Sequence, residues 1–85
     1  MTKYFTFDLL RKANQKARRY NLNRKLEPSF FKEIDPEKVY PVSFTMIHND
    51  DHMRVRFVHN GGGYGEGSAR WIDMTLDDYN ALPAA

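Results

Sequence analysis

Five side chains within residues 48 to 59 are of the types used for metal binding or proton transfer: His48, Asp50, Asp51, His52 and His59. Imidazole and carboxylate groups reach zinc at about 2.0 to 2.2 Å. A histidine beside Arg54 or Arg56 also has the means for general acid–base work in a small ribonuclease. Two features weigh against both chemistries. Asn49-Asp50-Asp51 is ordinary turn composition, and a tight turn would have to bend several of these side chains inward to share one ion. Nor does any spacing single out an acid–base pair. The expectation is therefore no metal site, no cofactor and no catalytic set.

The glycines raise a second possibility, because all five lie between Gly61 and Gly67, with Tyr64 among them. A dinucleotide fingerprint starting at Gly61 or Gly63 would put its last glycine on Glu66 or Ser68. A phosphate loop spanning Gly62 to Gly67 would need a lysine next, and Ser68 follows instead. Neither motif is met, so the stretch reads as a connection between antiparallel strands. The competing reading makes it a binding loop, since Tyr64 lacks a local packing neighbour.

The strongest signal is charge. Arg11, Lys12, Lys16, Arg18, Arg19, Arg24 and Lys25 fall within residues 11 to 25, where no acid occurs. Residues 1–38 hold ten Lys/Arg against five Asp/Glu, whereas residues 39–85 hold three against six. The net charge of +2 thus hides a basic N-terminal part and an acidic remainder. An outward helix face built only for solubility mixes both signs. This one does not, which points to a nucleic acid or a nucleoprotein complex as the partner.

The elements that must carry these residues follow from local pattern. Thr6 is placed to cap a first helix, with Phe5 and Leu10 as a hydrophobic staple and Asp8 at the positive helix end. Leu10, Ala13, Ala17 and Tyr20 recur at helical spacing and form the inward stripe, with Phe7 and Leu9 at its edge. The basic residues lie opposite. An alternative makes KYFTF a short edge strand with Asp8 as the cap. The helix is expected to fail near Asn21 to Asn23, and Ser29 to Ile34 reads as one helical turn.

Two strands follow. Val42, Phe44 and Met46 alternate with Ser43, Thr45 and Ile47, and Met53, Val55 and Phe57 alternate with Arg54, Arg56 and Val58. The apolar sets share a face only if paired residue numbers sum to an odd value. That predicts Met46 opposite Val55 or Met53 and excludes Arg54, and a two-residue turn at Asn49-Asp50 or Asp50-Asp51 satisfies it. A third strand near Ala69 to Met74 precedes a short helix capped by Thr75 and ended by Pro83, with Leu76, Tyr79 and Leu82 inward. The expected fold is α+β: one domain over 1–85, an N-terminal helix packed on a three-stranded antiparallel sheet, and a short C-terminal helix.

If Ile72 and Met74 face the core, Trp71 faces outward with Arg54 and Arg56. Arginines beside an exposed aromatic can stack bases or anchor a protein. The opposite parity would put Trp71 in the core. Asp73, Asp77 and Asp78 nearby favour a basic protein partner over nucleic acid at that face.

Length and composition bound the rest. A chain of 85 residues buries only roughly 60% of its unfolded surface, so each large apolar residue matters. The absence of cysteine excludes disulfides, thiolate zinc sites and a cysteine nucleophile; it fits a reducing compartment without requiring one. No stretch has the pattern of a signal peptide or the roughly 18 apolar residues of a membrane span. A cytoplasmic location with no membrane partner is expected, and oligomeric state is left open. No family resemblance is carried by these residues, and the aromatic motifs of RNP-type sheets are not matched. The resulting expectation is a non-enzymatic binding module that meets nucleic acid, or a complex bearing it, through Arg11, Lys12, Lys16, Arg18, Arg19, Arg24 and Lys25. The alternative is a protein-binding inhibitor or adaptor, of phage or mobile-element type, acting through Arg54, Arg56, Tyr64 and Trp71.

Overall fold

Thr6 closes one element and opens the next. It ends a first strand, β1 (Tyr4–Thr6), and its extended backbone lets its Oγ1 accept the Leu9 N–H at 3.2 Å, capping α1 (Phe7–Arg19). The two readings of KYFTF are thus combined, with Thr6 as the cap. The computed structural model describes residues 2–49, 51–59 and 69–84. After α1 come α2 (Phe30–Glu33), β2 (Val39–Asn49), β3 (His52–Val58), β4 (Ala69–Thr75) and α3 (Leu76–Asn80). The fold is α+β with an antiparallel sheet of four strands in the order β1-β2-β3-β4, one strand more than the sequence suggested.

The helix α1 stops as its sequence implies. Asn21 takes a left-handed φ of 54°, while the Leu22 N–H reaches the Ala17 carbonyl and the Asn21 N–H that of Arg18. That is a Schellman closure, and asparagine tolerates the required conformation better than most side chains do. Leu10, Ala13 and Ala17 are buried as expected, but Tyr20 is 57% exposed. As the C-cap it has left the helical path, so the periodicity no longer aims it inward. In α3, Thr75 Oγ1 accepts the Asp78 N–H at 3.1 Å. Leu82 is buried and Tyr79 packs against the core, whereas Leu76, at the first helical position, is exposed.

One face of the sheet carries the core. Phe5, Val55, Phe57, Ile72 and Met74 meet Leu10 and Ala13 of α1, together with Leu26, Phe30 and Leu82. Phe57 takes the edges of Phe5 and Phe30 at centroid distances of 5.4 and 6.0 Å. These edge-to-face ring contacts bury large apolar area in a chain with little core to spare.

The β2–β3 register departs from the expected one. Met46 pairs with Arg54, Phe44 with Arg56 and Thr45 with Val55, all even sums. Odd sums hold only at Val42↔Phe57 and Asn49↔His52, and the register shifts between Val42 and Phe44 and again between Ile47 and Asn49. Such irregularities let one strand gain a residue on its partner, which changes which side chains face the core. Val42 therefore packs with the core, while Phe44 and Met46 turn outward and stay 55% and 46% exposed. The parity argument failed because it assumed an uninterrupted ladder.

Both outer edges of the sheet are engaged by non-strand chain. Lys3 bridges to Ala84, and the Tyr4 N–H donates to the Pro83 carbonyl at 2.9 Å. At β4 the Asp73 N–H donates to the Arg24 carbonyl at 2.8 Å.

Candidate functional site

The two residues skipped by the ladder, Ser43 and His48, each hold an arginine of β3. Arg56 Nη1 donates to Ser43 Oγ at 2.9 Å, and Arg54 Nη2 lies 3.2 Å from His48 Nδ1. A bulge re-aims a side chain, and here it supplies a polar partner for each guanidinium on the outer sheet face.

Arg54 is further engaged by Asp73, which is fully buried. Its Nε donates to Asp73 Oδ1 at 2.9 Å and its Nη2 to Oδ2 at 3.4 Å. The Arg24 N–H adds a bond to Oδ2 at 3.1 Å, and His48 Nε2 stands 3.6 Å away. A buried carboxylate has to be matched by charge and hydrogen bonds, and Asp73 has both. Arg54 is therefore a structural cation. Arg56, whose guanidinium hydrogen-bonds the neutral Ser43, keeps its charge available to a ligand.

Trp71 lies on the outer face, because Ile72 and Met74 on either side of Asp73 are buried inward. It shares a row with Arg56 and Phe44 across three strands. The Phe44 and Trp71 rings meet edge-to-face at 6.0 Å and 77°. With Met46 they form an aromatic and apolar patch flanking Arg56. Tyr64 and the glycine stretch lie outside the described residues, as does Asp50.

The basic residues occupy the opposite layer and the loop that leaves it. Arg11, Lys12 and Arg19 are exposed on α1, and Arg24 and Lys25 are exposed on the loop beyond. Arg11 rests over the Phe7 ring at 5.8 Å, and Lys25 Nζ donates to Asn21 Oδ1 and the Leu22 carbonyl. Two cations are compensated by acids outside this segment. Lys16 Nζ donates to Asp78 Oδ2 at 2.9 Å, which raises its pKa above the usual lysine value, mainly through that hydrogen bond. Arg18 lies 3.7 Å from Glu27 and donates to the Leu26 carbonyl. The charge imbalance within residues 11 to 25 is thus partly relieved in space.

The loop is fixed by a residue whose role was not read from the sequence. Asn14 is buried on the inward stripe of α1; its Oδ1 accepts the Leu26 N–H at 2.7 Å and its Nδ2 donates to the Leu26 carbonyl at 3.0 Å. A polar side chain four residues after Leu10 on an otherwise apolar stripe was the available signal. Asn14 and Asp73 together press residues 24–26 against α1 and the β4 edge. Arg24 and Lys25 are thereby set between the basic helix and Trp71. Together with Asn23 and Trp71 they line a groove of about 540 Å³.

No family model, curated protein or solved structure matches this chain. Its chemistry rests on its own side chains. The histidines do not converge: His48 sits over Arg54, His52 Nδ1 contacts Asp51 at 2.9 Å, and His59 packs edge-on against Phe30. Among the described residues no group of three or more His, Cys, Asp or Glu is arranged to hold a metal ion. No described helix is long and apolar enough to cross a membrane.

Proposed function

We propose that this chain is a small, non-enzymatic, nucleic-acid-binding module that meets phosphates through α1 and the loop behind it. One observation carries the reading. Arg11, Lys12, Arg19, Arg24 and Lys25 are exposed, and none forms an ion pair with an acid among the described residues. Exposed cations on a pinned surface bind a polyanion by releasing its counterions. Two of the three acids that argued against nucleic acid carry less weight in three dimensions, while Asp77 stays exposed. Asp73 is buried against Arg54, and Asp78 is engaged by Lys16. A cytoplasmic location goes with this reading.

A second reading is favoured by the uncovered Phe44 and Met46. It makes the outer sheet face a contact for a partner protein, with the chain acting as an inhibitor or adaptor of phage or mobile-element type. Exposed aromatics beside arginine are common at such contacts.

Fluorescence anisotropy of labelled oligonucleotides across a salt series tests the first reading. Log K is expected to fall with log salt by roughly 0.7 to 0.9 per phosphate contact. Reversing Arg11, Lys12, Arg19 and Arg24 to glutamate should abolish binding while leaving the ion pairs of Lys16 and Arg18 intact. Binding that survives the reversal, or that ignores salt, would sink the reading.

A further inference from the structure

The basic helix and the outer sheet face lie on opposite sides of the sheet, yet residues 24–26 join them around the β4 edge. The Arg24 backbone is bonded to Asp73 at both its N–H and its carbonyl, and Leu26 is bonded to Asn14. The cations at the end of α1, those of the loop, and the row of Trp71, Arg56 and Phe44 therefore form one continuous track. Resting on the nucleic-acid reading, we propose that the ligand is single-stranded. Its phosphates follow Arg19, Arg24 and Lys25, and its unpaired bases stack at Trp71 and Phe44 on the outer face.

Three observations carry this. First, among nucleic acids only one with unpaired bases can use the aromatic rings of the outer face. Phe44 is exposed, Trp71 is half-buried, and their edge-to-face contact leaves ring surface beside the Arg56 guanidinium. Aromatic and guanidinium planes are stacking platforms for any base, whereas a duplex keeps its base faces to itself. Second, one groove holds the loop cations and the tryptophan together. Arg24, Lys25 and Arg70 line it with Trp71, beside Glu27 and Glu33. A phosphate held by Arg24 or Lys25 is thereby next to a ring on which its base can stack. Third, the track turns a corner. The molecule measures only 32 × 30 × 22 Å. Duplex DNA is stiff over about 150 base pairs and cannot pass from α1 onto the opposite face of so small a body. A single strand can.

Trp71 is the only tryptophan in the chain, so its fluorescence reports on this site alone. The probes are a 15-nucleotide oligo(dT), a 15-nucleotide oligo(U) and a 15-base-pair duplex. The single strands are expected to quench Trp71 and to bind at least tenfold more tightly than the duplex. Phe44→Ala and Trp71→Ala should each weaken single-strand binding by roughly 10-fold or more, with Trp71→Phe restoring most of it. Phe44 is exposed, so its variant folds even if loss of Trp71 proves harmful. Arg24→Glu/Lys25→Glu should weaken single-strand binding as well. Duplex binding equal to single-strand binding, without quenching, overturns the single-strand proposal and leaves the nucleic-acid reading standing. Single-strand binding indifferent to Phe44→Ala and Trp71→Ala does the same. If no probe binds at low salt, both fall. A protein that co-purifies after nuclease treatment and is lost with Phe44→Ala would reassign the face to a protein partner and overturn the proposal.

Discussion

Met46 stands directly opposite Arg54 on the face of the sheet that faces away from α1. An apolar strand residue and a charged one share a row because β2 gains a residue at His48, and the second extra residue, Ser43, returns Val42 to the core side. The arginine gives up its exposure to Asp73, the methionine keeps its own, and the outer face becomes an aromatic surface beside the Arg56 guanidinium.

The same shift separates two phenylalanines that look equivalent in the sequence. Phe57 is fully buried against Phe5 and Phe30, so Phe57→Ala is expected to cost roughly 3 to 5 kcal/mol. Phe44 has only the edge contact with Trp71, and Phe44→Ala should cost about 1 kcal/mol or less. Urea denaturation of the two variants decides the matter. Comparable losses would place Phe44 in the core and refute the register.

Arg54→Met leaves the buried Asp73 carboxylate without its countercharge. Breaking a buried pair in this way costs roughly 3 to 5 kcal/mol. Adding Asp73→Asn should recover part of the loss, because a neutral amide oxygen can still accept the Arg24 N–H. Denaturation midpoints of the single and double variants give the comparison, and a neutral Arg54→Met would show that the pair is dispensable.

For Asn14→Ala, the Leu26 N–H loses its acceptor and its carbonyl keeps only Arg18. The expected cost is about 1 to 3 kcal/mol, together with a local sign: faster hydrogen exchange at the Leu26 amide. Unchanged exchange there would mean that Asn14 does not hold the loop.

Stability should fall on the alkaline side. Lys16 has a pKa raised above 10.5, chiefly by its hydrogen bond to Asp78. Its contribution is whole below that value and fades as pH climbs through the higher folded one. Burial raises the Tyr40 hydroxyl above 10.0, so the unfolded chain releases this proton first and is favoured as pH rises further. Asp78→Asn should return Lys16 toward its ordinary titration, followed by NMR at the side-chain carbons next to Nζ. A Lys16 titration unmoved by Asp78→Asn would contradict the assigned cause.

What the sequence made legible was local. The Thr6 and Thr75 caps, the inward stripe of Leu10, Ala13 and Ala17, the end of α1 at Asn21 and the inward parity of Ile72 and Met74 each depend on neighbours within a turn or a pleat. What it hid depends on distant chain. Nothing around Ser43 announces a bulge, because the irregularity exists only relative to β3. Asp73 reads as an outward strand acid until Arg54, His48 and the Arg24 backbone close over it. The edge-strand reading of KYFTF stayed an alternative because β1 is made a strand by its pairing with residues 39–41, which lie more than thirty positions away. The candidate surface divided the same way: its cations were visible as a run, while their link to Trp71 depended on Asn14 and Asp73.

The chain laid along each outer edge of the sheet also limits how this protein can meet anything else. An open strand edge is a template on which another chain can add a strand, including a copy of the same chain. Here the Pro83 carbonyl and Ala84 occupy the β1 side, and the Arg24 carbonyl takes the Asp73 amide on the β4 side. At those positions the Tyr4 and Asp73 amides are already taken, so a strand adding there would first have to displace this chain. Under the proposed function, recognition then falls to side chains on the two faces, where discrimination would come from ring and charge placement and not from main-chain hydrogen bonding.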